Sequence, residues 1–134
     1  RLSDWYEDIG AGGIPVTEME GKKVLALSAI GNPASFEQTL ADLGVEIVES
    51  MRYPDHHDYD ERDMAEVLYR AETLGVEAII ITEKDAVKVP ADVVRAKWRI
   101  PMYVISVEVT FQKGQEKFFR TLEEQLAAKL RPAS

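Results

Sequence analysis

The chain has 134 residues and no cysteine, and its 24 acidic and 16 basic residues give a net charge of −8. This length suits one domain with a buried core. The acidic balance excludes a general binder of nucleic-acid backbones, which needs a basic face, so we expect no nucleic-acid partner. The absence of cysteine excludes disulfides, thiolate metal sites and a cysteine nucleophile. The longest apolar run, 76–81, contains Glu77 and is too short to cross a bilayer.

Residues 1–22 are expected to be irregular, because three glycines and a proline between residues 10 and 15 are typical of a loop or linker. The chain begins at Arg1 rather than at methionine, from which we expect a piece of a longer protein. We therefore interpret 1–22 as a linker from an upstream part and 23–134 as an α/β domain.

Four apolar runs predict buried strands. They are 24–30, 45–48, 76–82 and 102–111. Apolar residues at helical spacing and end signals predict helices between them. The predicted helices span 33–43, about 60–74, a short segment from 83 onward and a segment after Gly114. The last of them carries apolar residues at helical spacing: Phe118, Leu122, Leu126 and Leu130. Alternating strands and helices form right-handed crossovers, so we expect a three-layer α/β Rossmann-like domain with a mainly parallel sheet of about four strands.

Three polar clusters follow the ends of the first three predicted strands. They are Gly31-Asn32-Pro33, Asp55-His56-His57 and Thr82-Glu83-Lys84-Asp85. The carboxyl ends of parallel strands meet at one edge of a sheet, and open sheets bind their ligands there. We therefore expect the three clusters to lie together and to form the site.

The first cluster has two interpretations. A helix N-terminus beginning at Asn32 offers free amides to a phosphate. The same residues also suit a compact turn, in which Asn32 caps the helix and Pro33 takes the first helical position, and we favour this second interpretation. The sequence has neither GxxxxGK[ST] nor GxGxxG at this loop, so it carries no nucleotide-binding motif here.

The second cluster contains both histidines of the chain. A histidine can act as a base or relay when an aspartate orients it. Neighbours in an extended chain point opposite ways, so we expect only one of His56 and His57 to face the site. A metal needs three or four converging ligands, and Asp55, one histidine and Asp85 form a marginal set. We therefore predict no metal site.

The third cluster also has two interpretations. Lys84 can hold a phosphate, and Asp85 can orient it or bind magnesium indirectly. The alternative is a capping box with surface ion pairs that contribute little, which the spacing alone favours. Asp58 and Asp60 are likewise explained as caps of the second helix.

Three motifs in this order carry a family resemblance. They are SAIGNPASFEQTLADLG (28–44), RYPDHHDYDERDM (52–64) and IITEKDAVK (80–88), followed by a weaker match from IPMYVISVEVTF (100–111) to the final helix. With them the sequence resembles the carboxy-terminal part of the tetraacyldisaccharide 4'-kinase family of lipid A biosynthesis. The resemblance covers nearly all of the chain from Lys22 onward. One departure is Ser28-Ala29-Ile30, where the family more usually has Gly-Ile before the Gly-Asn-Pro turn.

The resemblance implies ATP-dependent phosphoryl transfer to the 4'-hydroxyl of a tetraacylated glucosamine disaccharide 1-phosphate, giving lipid IVA, with Mg²⁺ neutralising the phosphates. The family's P-loop, catalytic carboxylates and membrane-associated segment belong to an amino-terminal domain absent from this chain. The implied partners are that domain and the lipid disaccharide. The chain alone is then expected to be soluble, to bind neither ATP nor Mg²⁺ and to be inactive, and the whole protein to work at the cytoplasmic side of the bacterial inner membrane.

The resemblance also implies roles for individual residues. The histidine of the family's Asp-His pair faces the cleft between the two domains and maps to His56. By implication His56 pairs with an acidic residue of the amino-terminal domain to orient or deprotonate the sugar hydroxyl, and Asp55 positions His56. The same cleft is implied to be lined by Asn32, Thr82, Lys84 and Asp85.

Two alternatives from other classes remain open. A metal-dependent phosphoesterase of the DHH type is indicated by the tripeptide after a strand. That family needs Asp-x-Asp arrangements on earlier strands, and the first strand, VLALSAI (24–30), has no acidic residue. The second alternative is a non-enzymatic phosphate- or sugar-binding module that uses the same cleft.

Overall fold

A computed structural model describes residues 14–90, 99–110, 114–122 and 124–125. Six strands form one sheet: β1 Ile14–Pro15, β2 Lys23–Ser28, β3 Glu46–Arg52, β4 Ala78–Thr82, β5 Met102–Thr110 and β6 Gly114–Thr121. The helices of the described ranges are a 3-10 helix Val16–Met19 and three α-helices, α1 Pro33–Asp42, α2 Glu61–Leu74 and α3 Glu83–Ala86. A further helix begins at Leu122.

The strands lie in the order β1-β6-β5-β4-β2-β3. The four strands β3, β2, β4 and β5 run parallel to one another, whereas β6 pairs antiparallel with β5 and β1 antiparallel with β6. The expected mainly parallel α/β sheet is therefore confirmed. It has six strands rather than about four.

One extra strand replaces a predicted helix. Phe118 and Leu122 are four residues apart, which favoured a helix after Gly114, but residues 114–121 form β6 and pair with β5 along their whole length. Phe118 and Phe119 are consecutive and both buried, as a strand covered on both faces allows. The helix that follows begins only at Leu122, and Leu126 and Leu130 lie outside the described residues.

The other extra strand corrects part of the amino-terminal interpretation. Ile14 and Pro15 pair with Phe119 and Phe118 of β6, and Met19 in the following 3-10 helix is buried. Residues 14–19 are therefore ordered parts of the domain and not irregular, while residues 1–13 lie outside the described part of the chain. The interpretation of 1–22 as a linker stays a prediction.

Both faces of the sheet are covered, which gives the three layers. Strand β2 lies between β3 and β4, and its residues after Lys23 are all buried. Alternate residues of β2 join two apolar clusters, one with Phe36 and Leu40 of α1 and the other with Met64 and Val67 of α2. Full burial of one such side chain contributes about 1.5–3 kcal/mol, so the two clusters hold α1 and α2 on opposite faces.

The helix ends follow the signals in the sequence. The Asn32 side chain accepts a hydrogen bond from the Ser35 amide at 3.1 Å and caps α1. Asp60 caps α2 through a reciprocal capping box with Asp63, and Gly75 ends α2 with φ 67°. In the described part of the chain, no helix has both the length and the apolar character that crossing a membrane requires.

Candidate functional site

The three polar clusters meet at the carboxyl edge of β2, β3 and β4, as the topology predicts. A β-carbon placed on Gly31 would lie 3.3 Å from Oδ2 of Asp55, so the first two clusters are in contact. The Ala29 amide, just after β2, donates to Oδ1 of Asp85 at 3.0 Å, which ties the third cluster to the first. A side chain at position 31 would press on the Asp55 carboxylate, because 3.3 Å is closer than ordinary van der Waals contact.

The Asp55 and His56 side chains are the exposed tip of this edge. The Pro54 carbonyl accepts a hydrogen bond from the His57 amide at 3.0 Å and closes a turn over 54–57. Within this turn His56 has φ 67°, in the left-handed region. Its side chain is 86% exposed, and its Nε2 lies 3.6 Å from Oδ2 of Asp55, a distance too long for a hydrogen bond.

The two histidines have different partners, as expected, but for a different reason. They lie in and after a turn rather than in extended chain, so strand alternation does not separate them. His57 is 30% exposed and its Nε2 lies 2.7 Å from Oδ2 of Asp63. His56 faces solvent, whereas the Nε2 atom of His57 is engaged by Asp63. The prediction that only one of the pair faces the site stays a prediction.

The amino end of α1 is a capped helix end beside a carboxylate. Asn32 uses its side-chain oxygen for the Ser35 amide, and the carboxylate of Asp55 lies against Gly31. This negative group therefore lies beside the residue that precedes the N-cap of α1. The structure therefore supports the capping interpretation of Asn32. The prediction that Asn32, which is exposed, lines a cleft stays a prediction.

Asp85 is a fully buried carboxylate beneath the exposed tip. It accepts hydrogen bonds from the Ala29 amide at 3.0 Å, the Tyr59 hydroxyl at 3.2 Å and the Thr82 hydroxyl at 2.8 Å. Burial, together with the neighbouring Asp85 carboxylate, raises the pKa of the Tyr59 hydroxyl, which therefore stays a donor. These three donors join β2, the loop before α2 and α3 at one point.

The other members of the third cluster differ in exposure. Thr82 caps α3 by accepting from the Asp85 amide at 3.1 Å, and it is half-buried. Lys84 is exposed and is the cation of this cluster. The predicted cleft-lining roles of Thr82, Lys84 and Asp85 stay predictions, but the burial of Asp85 leaves its carboxylate no surface for a ligand.

A second group of residues supports the tip and was missed by the sequence analysis. The His57 ring stacks on Tyr53, with centroids 4.9 Å apart, and meets the edge of Tyr59 at 5.6 Å. Burial raises the pKa of Asp63, but hydrogen bonds from His57 and from the Asp60 amide outweigh this effect and hold the pKa below its ordinary value. The Asp60-x-x-Asp63 spacing and the aromatic residues around the histidine pair were the available signals.

The described residues at this edge do not supply a complete set of protein ligands for a metal ion. Among the residues that the structure describes, no three or more histidine and acidic side chains are grouped to hold a metal ion. Asp85 cannot serve as a further ligand, because its carboxylate oxygens accept hydrogen bonds from three donors. Within the described residues, Asp55 and His56 therefore have no third protein ligand beside them. We therefore derive no chemical step through a metal bound by these residues.

These features define an α/β domain whose polar site lies at the carboxyl edge of a mainly parallel sheet. A sequence model of the family described as tetraacyldisaccharide-1-P 4'-kinase matches residues 11–127, which include every residue of this site. The chain therefore belongs to the tetraacyldisaccharide-1-P 4'-kinase family.

Individual relatives match over the same region. The chain is 34% identical over 100 residues to a tetraacyldisaccharide 4'-kinase of Halothermothrix orenii, which covers 73% of this chain and 26% of that protein. It is 36% identical over 110 residues to one of Anaeromyxobacter sp. (strain Fw109-5), which covers 81% of this chain and 28% of that protein. The chain thus spans about a quarter of the length of these relatives.

One solved structure aligns along the chain with low similarity. An alanine–glyoxylate aminotransferase from Nostoc sp. covers 98% of this chain and 41% of its own, with a TM-score of 0.42 and 11% identity. This likeness is too weak to carry an argument about fold or function.

Proposed function

We propose that the chain is the carboxy-terminal domain of an ATP-dependent kinase that phosphorylates the 4'-hydroxyl of tetraacyldisaccharide 1-phosphate, forming lipid IVA in lipid A biosynthesis. The observation that carries this proposal is the family match over residues 11–127. The relatives are named tetraacyldisaccharide 4'-kinases, which favours the kinase over the phosphoesterase and over the binding module.

In this proposal the chain supplies one side of the active site. The nucleotide and Mg²⁺ are bound by an amino-terminal P-loop domain, and the whole protein works at the cytoplasmic side of the inner membrane. Two features of the chain support this division of labour: its loops after the strands lack a P-loop motif, and its exposed tip has no complete ligand set within the described residues. The chain alone is then catalytically inactive.

His56 is the proposed catalytic residue. Its imidazole accepts the proton of the 4'-hydroxyl while the hydroxyl oxygen bonds to the γ-phosphorus of ATP. The bond from that phosphorus to the β,γ-bridging oxygen breaks at the same time, and ADP leaves. General-base catalysis of this kind contributes about 10²- to 10⁴-fold. The exposure of its side chain at the sheet edge supports this role, because the ring is open to a sugar and to an acidic residue of the partner domain.

The neighbouring residues have supporting roles in this proposal. Asp55 holds a negative charge 3.6 Å from Nε2 of His56 and orients the ring. Lys84, on the same edge and exposed, is placed to attract a phosphate group of the ligand. Asp85 fixes the edge from below, and Asn32 and Thr82 shape it by capping the helices that begin there.

A transfer assay tests the proposed function. The whole protein containing this chain is incubated with γ-³²P-labelled ATP and tetraacyldisaccharide 1-phosphate, and the label is expected in the lipid product. The same lipid with its 4'-hydroxyl methylated is the control and is expected to stay unlabelled. The 134-residue chain without its partner domain is expected to transfer no label.

Other results of this assay contradict the proposal. Absence of transfer by the folded whole protein rules out the kinase. Hydrolysis of phosphodiesters by the protein in the presence of Mn²⁺ supports the phosphoesterase instead. Binding of the phosphorylated disaccharide by the 134-residue chain, together with no transfer by the whole protein, supports the binding module.

A further inference from the structure

The turn that presents His56 has an uncommon backbone conformation for a residue other than glycine. His56 has φ 67°, and residues other than glycine adopt this region uncommonly. Such a conformation persists only where surrounding contacts impose it. The contacts that hold this turn therefore decide where the His56 ring lies.

On its first side the turn is attached to the end of β2. The Tyr53 amide donates to the Ser28 carbonyl at 2.8 Å, and the His56 amide donates to the Ala29 carbonyl at 3.3 Å. Both contacts use backbone atoms, so they are available to any non-proline residue at these positions. They attach the turn to the end of β2. They do not require a histidine at position 57.

On its second side the turn is held by the side chain of His57. The Nε2 atom lies 2.7 Å from Oδ2 of Asp63, and the ring packs against both Tyr53 and Tyr59, which also contact each other. Asp63 is itself fixed, because its Oδ2 also accepts from the Asp60 amide at 3.1 Å in the capping box of α2. His57 thus connects the turn to the first turn of a 14-residue helix.

We propose that His57 is a positioning residue, whose contact with Asp63 holds the 54–57 turn in the shape that presents His56 to the ligand. The inference rests on the proposed function, because it presumes that His56 acts in the reaction. His57 itself does not face the ligand: its side chain is 30% exposed against 86% for His56, and its Nε2 is engaged by Asp63.

Kinetics of the whole protein test this role with two variants at position 57. H57F keeps an aromatic ring against the two tyrosines and removes the Nε2 contact, so kcat is expected to fall by about 10- to 100-fold, as for a small misplacement of a catalytic group. H57Q keeps a nitrogen donor at a similar reach and is expected to stay within about threefold of the wild-type kcat. The KM values for both substrates are expected to change little.

A double-variant experiment separates positioning from an independent role. If His57 acts through His56, then H57F in the His56→Ala background has the same kcat as His56→Ala alone, because coupled residues are not additive. The control is R70M, which removes the contact of Arg70 with Glu49 from the same helix α2 and is expected to leave kcat unchanged. Asp63→Asn tests the contact from its other side and is expected to lower kcat less than H57F does.

Several results overturn the proposal. They are a wild-type kcat for H57F, an H57Q protein as slow as H57F, and a further loss of rate when H57F is added to His56→Ala. A crystal structure of the whole H57F protein provides a readout that needs no activity: His56 is expected to leave the left-handed region, and retention of its φ near 67° contradicts the inference. A wild-type kcat for His56→Ala alone rejects instead the role of His56 in the proposed function.

Discussion

This site has one aspartate and one histidine at its exposed tip, and another aspartate and histidine beneath the tip in a different environment. At the exposed tip, Asp55 and His56 have side chains that are 49% and 86% exposed, with no hydrogen bond between them. Beneath the tip, Asp85 is fully buried with three donors, and His57 is bound to Asp63. The same residue types therefore serve as an open surface in one layer and as internal supports in the other.

This difference shows which polar residues of a sheet edge can act on a ligand. A buried carboxylate that has lost its water must keep its protein donors, because an unpaired group there is costly. An exposed pair has no such constraint and can exchange water for a ligand. Proximity to the edge is shared by all of these residues, whereas exposure distinguishes the tip from its supports.

Removal of the buried carboxylate is expected to have the largest effect on stability. Asp85→Ala leaves the donors of Ala29, Tyr59 and Thr82 without their acceptor, which costs about 1–3 kcal/mol for each buried donor left unsatisfied. Urea unfolding of the 134-residue chain measures the free energy of unfolding. Asp55→Ala is the exposed control and is expected to change it by about 0.5 kcal/mol or less. Equal losses for the two variants contradict the division into tip and support.

The support at Asp63 is expected to depend on pH. Because its pKa is lowered in the fold, the charged carboxyl stabilises the fold above its unfolded value of about 3.8, and this stabilisation is lost as pH falls through the lower folded pKa. Asp63→Asn is therefore expected to cost about 1.5–3 kcal/mol at pH 7, as for a hydrogen bond to a charged group.

The pH dependence of that variant gives the sharper result. Urea unfolding at several pH values is expected to show the difference between wild type and Asp63→Asn shrinking below pH 3.8. The compared quantity is the difference in free energy of unfolding between the wild type and Asp63→Asn. If this difference stays constant from about pH 7 down to about pH 3, the charge of Asp63 does not support the turn.

Glycine at position 56 is expected to relieve the backbone strain at the tip and so to give a more stable protein than alanine does. His56→Gly places at φ 67° a residue that adopts this region readily, so it is expected to be about 1 kcal/mol more stable than His56→Ala. Both variants lack the imidazole and are expected to be equally slow as kinases within the whole protein. An alanine variant as stable as the glycine variant shows that the turn relaxes and is not held by its supports.

The smallest effect is expected at a surface ion pair beside the site. Arg52 at the end of β3 makes two hydrogen bonds to Glu37 of α1, at 2.9 and 2.6 Å, and the Arg52 side chain is half exposed. Arg52→Met is expected to cost about 1 kcal/mol or less, and 0.5 M NaCl is expected to reduce the difference from wild type. A loss as large as that of Asp85→Ala shows that exposure does not decide which residues support the edge.

Much of the site could be predicted from the sequence because its signals are local or topological. Asn32 and Asp60 cap helices through contacts with residues three positions away, so their short-range spacing was sufficient. The meeting of Gly31 with Asp55 followed from parallel strands that end at one edge. Neither inference required knowledge of how side chains pack.

The remainder depended on contacts between distant segments. Strand β6 exists because it pairs with β5 and β1, and the spacing of Phe118 and Leu122 alone is compatible with a helix. The left-handed backbone of His56 depends on the attachment of its turn to β2 and to α2. The burial of Asp85 depends on Tyr59, 26 positions earlier in the chain, and no local pattern shows such a contact.

The most direct test of the account is the kcat of the whole protein carrying His56→Ala, measured together with its thermal unfolding. We expect kcat to fall by about 10²-fold or more, while the KM for ATP and the unfolding temperature stay close to those of the wild type. This result places the chemistry at the exposed tip and the stability in the residues beneath it. A wild-type kcat in the folded His56→Ala protein contradicts the account.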